Sequence, residues 1–539
     1  MNKRWRAVVS TLNAIIMVVF AAGCSMPAFL SGSRESGDGL SKNPDFKDKM
    51  EISVALWGID DALSPDGPDQ FYNYLEKRFN LSIKPVKINW DDYAQKIAIW
   101  ASTFQLPDIF SMDAVGTNYY RNWVKQELIK PVPEDLSRYP LLAGYLNKPD
   151  IQAFKEDGKL YFIPRSLYDS IKYCVQDRNV FYRWDLAREA GIRKEPETWE
   201  EFGDTLKAIM AEDPEQKNVQ GLTFVNPKHI SGLFWLYSNP AAASDGSGND
   251  YKWIWEEGRY IPAVFSRNAL PSLENLRGMY DRGIIDQNAV SNKGAQGYEM
   301  FATGRASAIL MNGYGNLDTM VAGRWNETYP GKKLTDCIKR APDFPATDGR
   351  RYQPVFKTFW SESYFSSQVG DKKLERILSL YDYMLSPEAK EFYRFGREDA
   401  DFVKEGDQII PLISREELNK KQRSAPILGS LVEFDDQFQY DPNNHTIDPD
   451  IRRMAADYIE AGMRSTVIPG YEARLTYLST PAKDAFPIYD YEDMIRVMLS
   501  KEPVARVWKD IRDDYEKKGL EKMIGEVNIR AREMGLPMD

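Results

Sequence analysis

The sequence predicts an α/β protein in which open, mostly parallel sheets are flanked by helices, and three observations carry that prediction. Early in the globular part, apolar runs of strand length alternate with stretches of helical periodicity in the order β-α-β-α. A second unit of the same kind starts after Tyr161-Phe162-Ile163-Pro164. At 539 residues the chain is long enough for several domains or large lobes, each burying its own core.

The N-terminus is read first, because it decides where the rest works. Lys3, Arg4 and Arg6 precede an apolar run from Ala7 to Ala22, the basic and hydrophobic regions of a secretory signal. A membrane span wants roughly 20 predominantly apolar residues. This run is shorter and is broken by Ser10, Thr11 and Asn13, so residues 1–23 read as an export signal that is cleaved. Gly23-Cys24 at its end resembles a bacterial lipoprotein box, which implies a diacylglycerol on the Cys24 sulfur and a firm two-chain anchor. Ala21 stands where a leucine is usual, and a plain signal peptide with free Cys24 is the alternative. Residues 24–49, rich in small and charged residues, read as a flexible tether.

Beyond the tether, Glu51 to Gly58 alternates apolar and polar residues and reads as a first strand and turn. Phe71, Tyr74, Leu75 and Phe79 mark a helix, Leu81 to Ile88 a strand, Ala94, Ile97, Ala98 and Ala101 a helix, and Leu106 to Phe110 a short strand. Thr198 and Glu201 form a capping box that opens a helix whose apolar face is Phe202, Leu206, Ile209 and Met210. Ala306 to Met311 is a strand by length and flanks, Leu374 to Leu385 a helical face, and Ser386-Pro387 an N-cap with proline at the first position. The tail from Val504 to Val527 is amphipathic, with Val504, Val507, Trp508, Ile511 and Tyr515 inward.

Composition excludes several function classes. The whole chain carries −10; loss of three basic residues with the signal leaves 67 Lys+Arg against 80 acids, or −13. Nucleic acid is therefore not an expected partner, since binding it needs a basic face to release counterions and the sequence holds no Lys/Arg run long enough to supply one. Mean hydropathy is −0.51. Besides Cys24 there are only Cys174 and Cys337, read as two buried thiols, and only His229 and His445 could serve a histidine-assisted nucleophile. Neither histidine sits in a supporting motif, and His229 beside Lys228 reads as a surface or loop residue. Aromatic residues make up 13% of the chain, with 13 tryptophans, an excess that packing alone does not explain.

Cys24, Leu106-Pro107-Asp108-Ile109, Pro196-Glu197-Thr198-Trp199-Glu200-Glu201-Phe202, Phe301 to Ala308 with Gly304-Arg305 and Ser386-Pro387-Glu388-Ala389 resemble, in this order, family 1 extracellular solute-binding lipoproteins. These are the capture subunits of bacterial sugar importers of the ATP-binding-cassette type. The resemblance implies a type II periplasmic-binding-protein-like fold: two α/β lobes, joined by crossing segments, with the ligand in the cleft between them. On that pattern residues 51–165 are the first part of the N-lobe, 166–350 the C-lobe, 351–460 the return to the N-lobe, and 461–539 a helical segment completing the lobes. It further implies an oligosaccharide ligand, membrane-embedded permease partners, a monomer on the extracellular face, no catalytic group and no cofactor.

Sugars present polar rims and apolar C–H faces, so a suitable cleft combines flat aromatic surfaces with hydrogen-bonding side chains. In open α/β sheets such residues lie on loops beyond the carboxyl ends of strands. Trp57, Trp90 and Asp113 follow the first, second and third strands; Tyr314 follows the strand ending at Met311; Trp360, with Glu362, ends the stretch Val355–Phe359. Arg165 and Trp235 complete the expected ligand-binding set. Trp184, Trp199 and Trp508 read as core, and Trp253 and Trp255 as hairpin residues open to either role.

Some long relatives carry a calcium loop after the Thr-Trp helix. Here Lys217 and Val219 stand where oxygen ligands are needed, and an EF-hand loop started at Asp441 in the acidic segment 433–450 also fails, because Thr446 replaces the turn glycine and Arg452 the closing glutamate. No metal is expected. Two other functions stay open at this point: a glycan-degrading enzyme, whose carboxylate pair no local motif singles out, and a binder of peptides or other solutes.

Overall fold

The computed structural model describes residues 46–538 except 64–66, 91, 170–172, 174–177, 226–228, 238–250, 293–295, 354–357, 435–437, 439–440 and 468–469. The expected signal, Cys24, nearly all of the tether and Cys174 lie outside the described residues. Cys337 is a buried free thiol, and burial pushes it up to about 11.

In chain order the strands are β1 (Met50–Ala55), β2 (Leu81–Pro85), β3 (Ile109–Met112), β4 (Phe162–Ser166), β5 (Asn179–Arg183), β6 (Gln220–Phe224), β7 (Trp253–Glu256), β8 (Arg259–Pro262), β9 (Ala306–Met311), β10 (Ile338–Arg340), β11 (Phe359–Phe365), β12 (Phe402–Glu405) and β13 (Gln408–Pro411). They form a five-stranded sheet ordered β2-β1-β3-β11-β4, a four-stranded sheet ordered β10-β5-β9-β6, and two hairpins. In each large sheet one strand runs against the others: β11 is antiparallel to β3 and β4, and β5 is antiparallel to β9 and β10. The reason is the route of the chain. β4 and β10 both end at the carboxyl edge of their sheet, so the strand entered next, β5 or β11, starts at that edge and runs backward.

Each sheet organises its own core. Around the first sheet lie residues from Ile52 to Ile163 and again from Phe359 to Val432. On the second sheet, side chains alternate by strand period: Val180, Tyr182, Ala308 and Leu310 face one core, while Phe181, Ile309 and Met311 face the other. The helix Pro449–Ser465 joins the latter core through Ile451 and Ala455, and the tail joins the former through Val507, Trp508, Ile511 and Tyr515. Gly519, at φ +105, breaks the expected continuous tail into helices Val504–Lys518 and Leu520–Glu533.

Local signals are met with one shift. Thr198 accepts from the Glu201 amide at 3.2 Å and Ser386 from the Ala389 amide at 3.1 Å. Glu201, however, reaches back to the amide of Glu197 at 2.7 Å, one residue beyond the N-cap. Trp199, Trp253 and Trp508 are buried core residues. Among the described residues no helix is long and apolar enough to cross a membrane.

Candidate functional site

Three strand ends of the first sheet deliver three indoles to one place. Leu56-Trp57 follow directly on β1, and Gly58 at φ +75 then turns the chain sharply into a short helix. Trp90 follows β2, and Trp360 begins β11, where the ladder with β4 is interrupted between Phe359 and Glu362 and Ser361 sits at φ +59. Such a bulge re-aims a side chain. Trp57 and Trp90 stack with ring centroids 4.7 Å apart and planes 3° from parallel. Trp360 lies 5.6 Å from Trp57 and 5.8 Å from Trp90, also stacked. Tyr93 meets Trp57 edge-on at 5.2 Å, and Phe434 closes the other side, 5.5 Å from Trp360. Trp57 is buried, whereas Trp90 is 58% exposed and presents the open face of the cluster.

Arg165 supports this platform from within. It is fully buried and donates from Nε to the Ser430 carbonyl (2.6 Å), from Nη1 to Ser361 (3.1 Å), and from Nη2 to Ser363 (2.9 Å) and Ser111. Burial pulls its guanidinium below the ordinary value, and its charge lies 5.7 Å from the Trp57 ring. The sequence expectation placed Arg165 on the ligand; the structure places it beneath Trp57 instead, where side chains of β3 and β11 take up its donors. Glu362 is likewise interior: its Oε2 accepts from the amides of Ala114 (3.0 Å) and Val115 (3.2 Å) and from Tyr364 (2.7 Å), fixing the loop in which half-buried Asp113 stands.

Tyr314 is also in the interior, 1% exposed, with Phe181 at 5.2 Å and Tyr458 at 5.9 Å. Beside it the Arg340 guanidinium lies 3.3 Å from the Tyr458 ring centre, and Tyr458 donates to Asp343 at 2.7 Å. This cluster fixes the helix Pro449–Ser465 to the second sheet. Trp235 lies on the helix Ile230–Tyr237, and its side chain is outside the described residues.

Between the sheets lies a cavity of about 490 Å³ whose walls come from both sides: Ser166, Lys390 and Glu433 from the first, Ala456, Ile459 and Met463 from the helix bound to the second. Glu433 is held by Lys390, Tyr393 and Arg394. Burial alone would raise its carboxyl, but Lys390 and Arg394 overcome that and hold it below the usual carboxylate range. The cavity adjoins the aromatic cluster through Phe434, whose amide donates to Ser166 at 2.9 Å.

The degenerate loop at 213–221 is filled from inside the protein. Asp213 accepts from the amides of Lys217 (3.1 Å) and Asn218 (2.8 Å). The Lys217 ammonium then donates to the Thr303 carbonyl at 3.0 Å and Tyr329 at 2.7 Å and pairs with Glu215 at 3.0 Å. An ammonium thus stands among oxygens of the kind a hard cation would gather. Among the described residues no group of three or more His, Cys, Asp or Glu is placed to hold a metal ion.

Tyr93, Phe434 and the serines around Arg165 were not singled out by sequence. The local spacing of Phe434 carries no signal, because it joins the indoles only through tertiary folding.

Comparison with known proteins agrees with this architecture. Lipoprotein LipO of Bacillus subtilis is 23% identical over 412 residues, 72% of this chain and 71% of its own. The fructooligosaccharide ABC transporter substrate-binding protein FusA of Streptococcus pneumoniae is 25% identical over 244 residues, 42% of this chain and 44% of that one. Among solved structures, FusA in complex with kestose covers 90% of this chain and 99% of its own with TM-score 0.66 at 16% identity. The alginate-binding protein AlgQ2 without calcium ion covers 89% and 98% with the same score and identity. At that identity the likeness concerns the fold, which is the two-lobed one. The family described as bacterial extracellular solute-binding protein matches residues 70–389, more than half of the chain, and this protein belongs to that family.

Proposed function

We propose that the protein captures an oligosaccharide in the groove between its two sheets and delivers it to an ATP-binding-cassette permease, without breaking a bond. The observation that carries this reading is the convergence of Trp57, Trp90 and Trp360 from three strand ends into one stack with an open face. A flat indole surface suits the apolar face of a sugar ring, and a large aromatic face buries much apolar area when it is covered. Family membership and the sugar ligands in the names of FusA and AlgQ2 support the same ligand class. Trp57, Trp90 and Trp360 would stack on the ligand, with Asp113 beside them and Trp235 a further contact; Arg165 would hold the indoles from behind, and Tyr314 would anchor the helix Pro449–Ser465 that walls the cavity.

The working location is the extracellular face of the membrane, with the chain acting as a monomer tethered by lipid on Cys24. LipO, a lipoprotein by name, supports the tether.

The test is incubation of the full chain with oligosaccharides such as kestose and alginate trisaccharide, followed by mass spectrometry of both protein and sugar. A bound sugar recovered at its original mass is the expected result. Shorter sugars in the supernatant would establish the glycan-degrading enzyme instead.

A further inference from the structure

The second sheet repeats at its carboxyl edge what the first does with its indoles. In the strand order β5-β9-β6, Arg178 immediately precedes β5, Asn312 follows β9, and His229 follows β6 by five residues. β5 runs backward, so all three positions fall at one edge, the edge where the crossing from Ser166 to Arg178 arrives from the first sheet. Arg178 donates from Nη1 to Asn312 Oδ1 at 2.5 Å. The first turn of the helix after His229 packs against both neighbours: a Cβ at Gly232 would make ordinary contact with Leu310 at 3.4 Å and with the Arg178 side chain at 3.8 Å.

Two features of this cluster bear on a ligand. The Nδ1 atom of His229 is buried, and it has no hydrogen-bond partner among the described residues. A buried polar atom left unpaired costs about 1–3 kcal/mol, and native proteins keep few of them. Arg178 holds φ +56, a conformation that non-glycine residues adopt rarely and that is common at ligand sites. The sequence reading of His229 as a surface or loop residue fits its half-buried place before the helix, but its Nδ1 atom is shielded from solvent. Burial first, and then the Arg178 charge, lower the imidazole to about 3, so it is neutral in ordinary media. A neutral imidazole offers one donor and one acceptor.

Building on the oligosaccharide reading, we propose that His229, with Arg178 and Asn312, forms the second lobe's half of the binding site and receives hydroxyl groups of an uncharged sugar ring. Hydroxyls both donate and accept, as a neutral ring nitrogen beside a guanidinium requires; a carboxylate only accepts. A ligand stacked on Trp90 and bonded to His229 contacts both lobes, which is the condition for it to favour closure.

The test measures calorimetric affinity of the full chain for kestose, maltotriose, mannotriose and alginate trisaccharide, with thermal melting as a folding control. His229→Phe should weaken the best neutral ligand roughly tenfold or more without lowering the melting temperature. His229→Asn, which keeps a polar atom near Nδ1, should restore most of the affinity, and wild-type affinity should be flat between about pH 8 and 5. Asn312→Ala, which frees Arg178 without touching the imidazole, should weaken binding by a smaller factor and stands in if the phenylalanine variant does not fold. Wild-type affinity in folded His229→Phe, or in Asn312→Ala where His229→Phe does not fold, or preference for the alginate trisaccharide, overturns the inference. Loss of binding in Trp90→Ala alongside full binding in His229→Phe would sink this inference and leave the aromatic site standing. If the wild type binds none of the sugars, the functional reading falls and takes this inference with it.

Discussion

Trp57 and Trp90 stack on each other and both meet Trp360, but their exposure differs. Trp90 is 58% exposed and Trp57 5%, so the two alanine variants should separate binding from stability. Trp90→Ala is expected to weaken sugar binding by about 1–3 kcal/mol with little change in melting temperature. Trp57→Ala should weaken binding similarly and also destabilise the fold by about 3–5 kcal/mol, as loss of a buried indole does. Calorimetry with a melting curve for each variant checks both. The positions of Trp57 and Trp90 could be read from sequence, because both come after recognisable strands; Trp360 instead lies inside β11, near its start. The role of Arg165 could not: its serine partners sit on β3 and β11, more than 50 and nearly 200 positions away, and only the sheet order β3-β11-β4 brings them under the guanidinium. Tyr314 follows a correctly read strand but turns inward onto Phe181, a packing choice that strand position does not encode.

At the scale of elements, local chemistry set the helix starts and the strand Ala306–Met311, whose bounds coincide with the sequence reading. Edges decided by tertiary contact were less legible: the strand expected over 81–88 stops at Pro85, where the chain turns off toward Trp90. The loop at 213–221 shows how one residue can change an element's requirements. Lys217 donates to Thr303 and Tyr329 and pairs with Glu215, which in turn accepts from Arg183 at 2.9 Å. With that internal cation in place, neither chelator nor millimolar calcium is expected to move the melting temperature. Lys217→Ala should lower stability by about 1–3 kcal/mol, because Glu215 and the Thr303 carbonyl lose a partner in a half-buried site. A calcium-dependent rise in melting temperature of the wild type would show that the loop binds metal after all.

For the molecule as a whole, the legible part was the architecture of two sheets, each with its own core and the chain crossing between them. The crossings explain why β5 and β11 run backward and why the aromatic and polar edges belong to opposite lobes. Further contacts join the first lobe to the segment 477–484: Arg121 pairs with Asp484 at 2.9 Å, and Tyr477 packs edge-on against Phe154 at 4.2 Å. A ligand gripped by both edges must change the surroundings of the indole stack. The most direct measurement is therefore a titration of intrinsic tryptophan fluorescence with neutral and uronate-containing oligosaccharides, in the wild type and in a Trp57→Ala, Trp90→Ala double variant. A saturable change with at least one sugar, absent from the folded double variant, is the expected result; no response to any sugar, or the same response without those two indoles, would contradict a carbohydrate held on this stack.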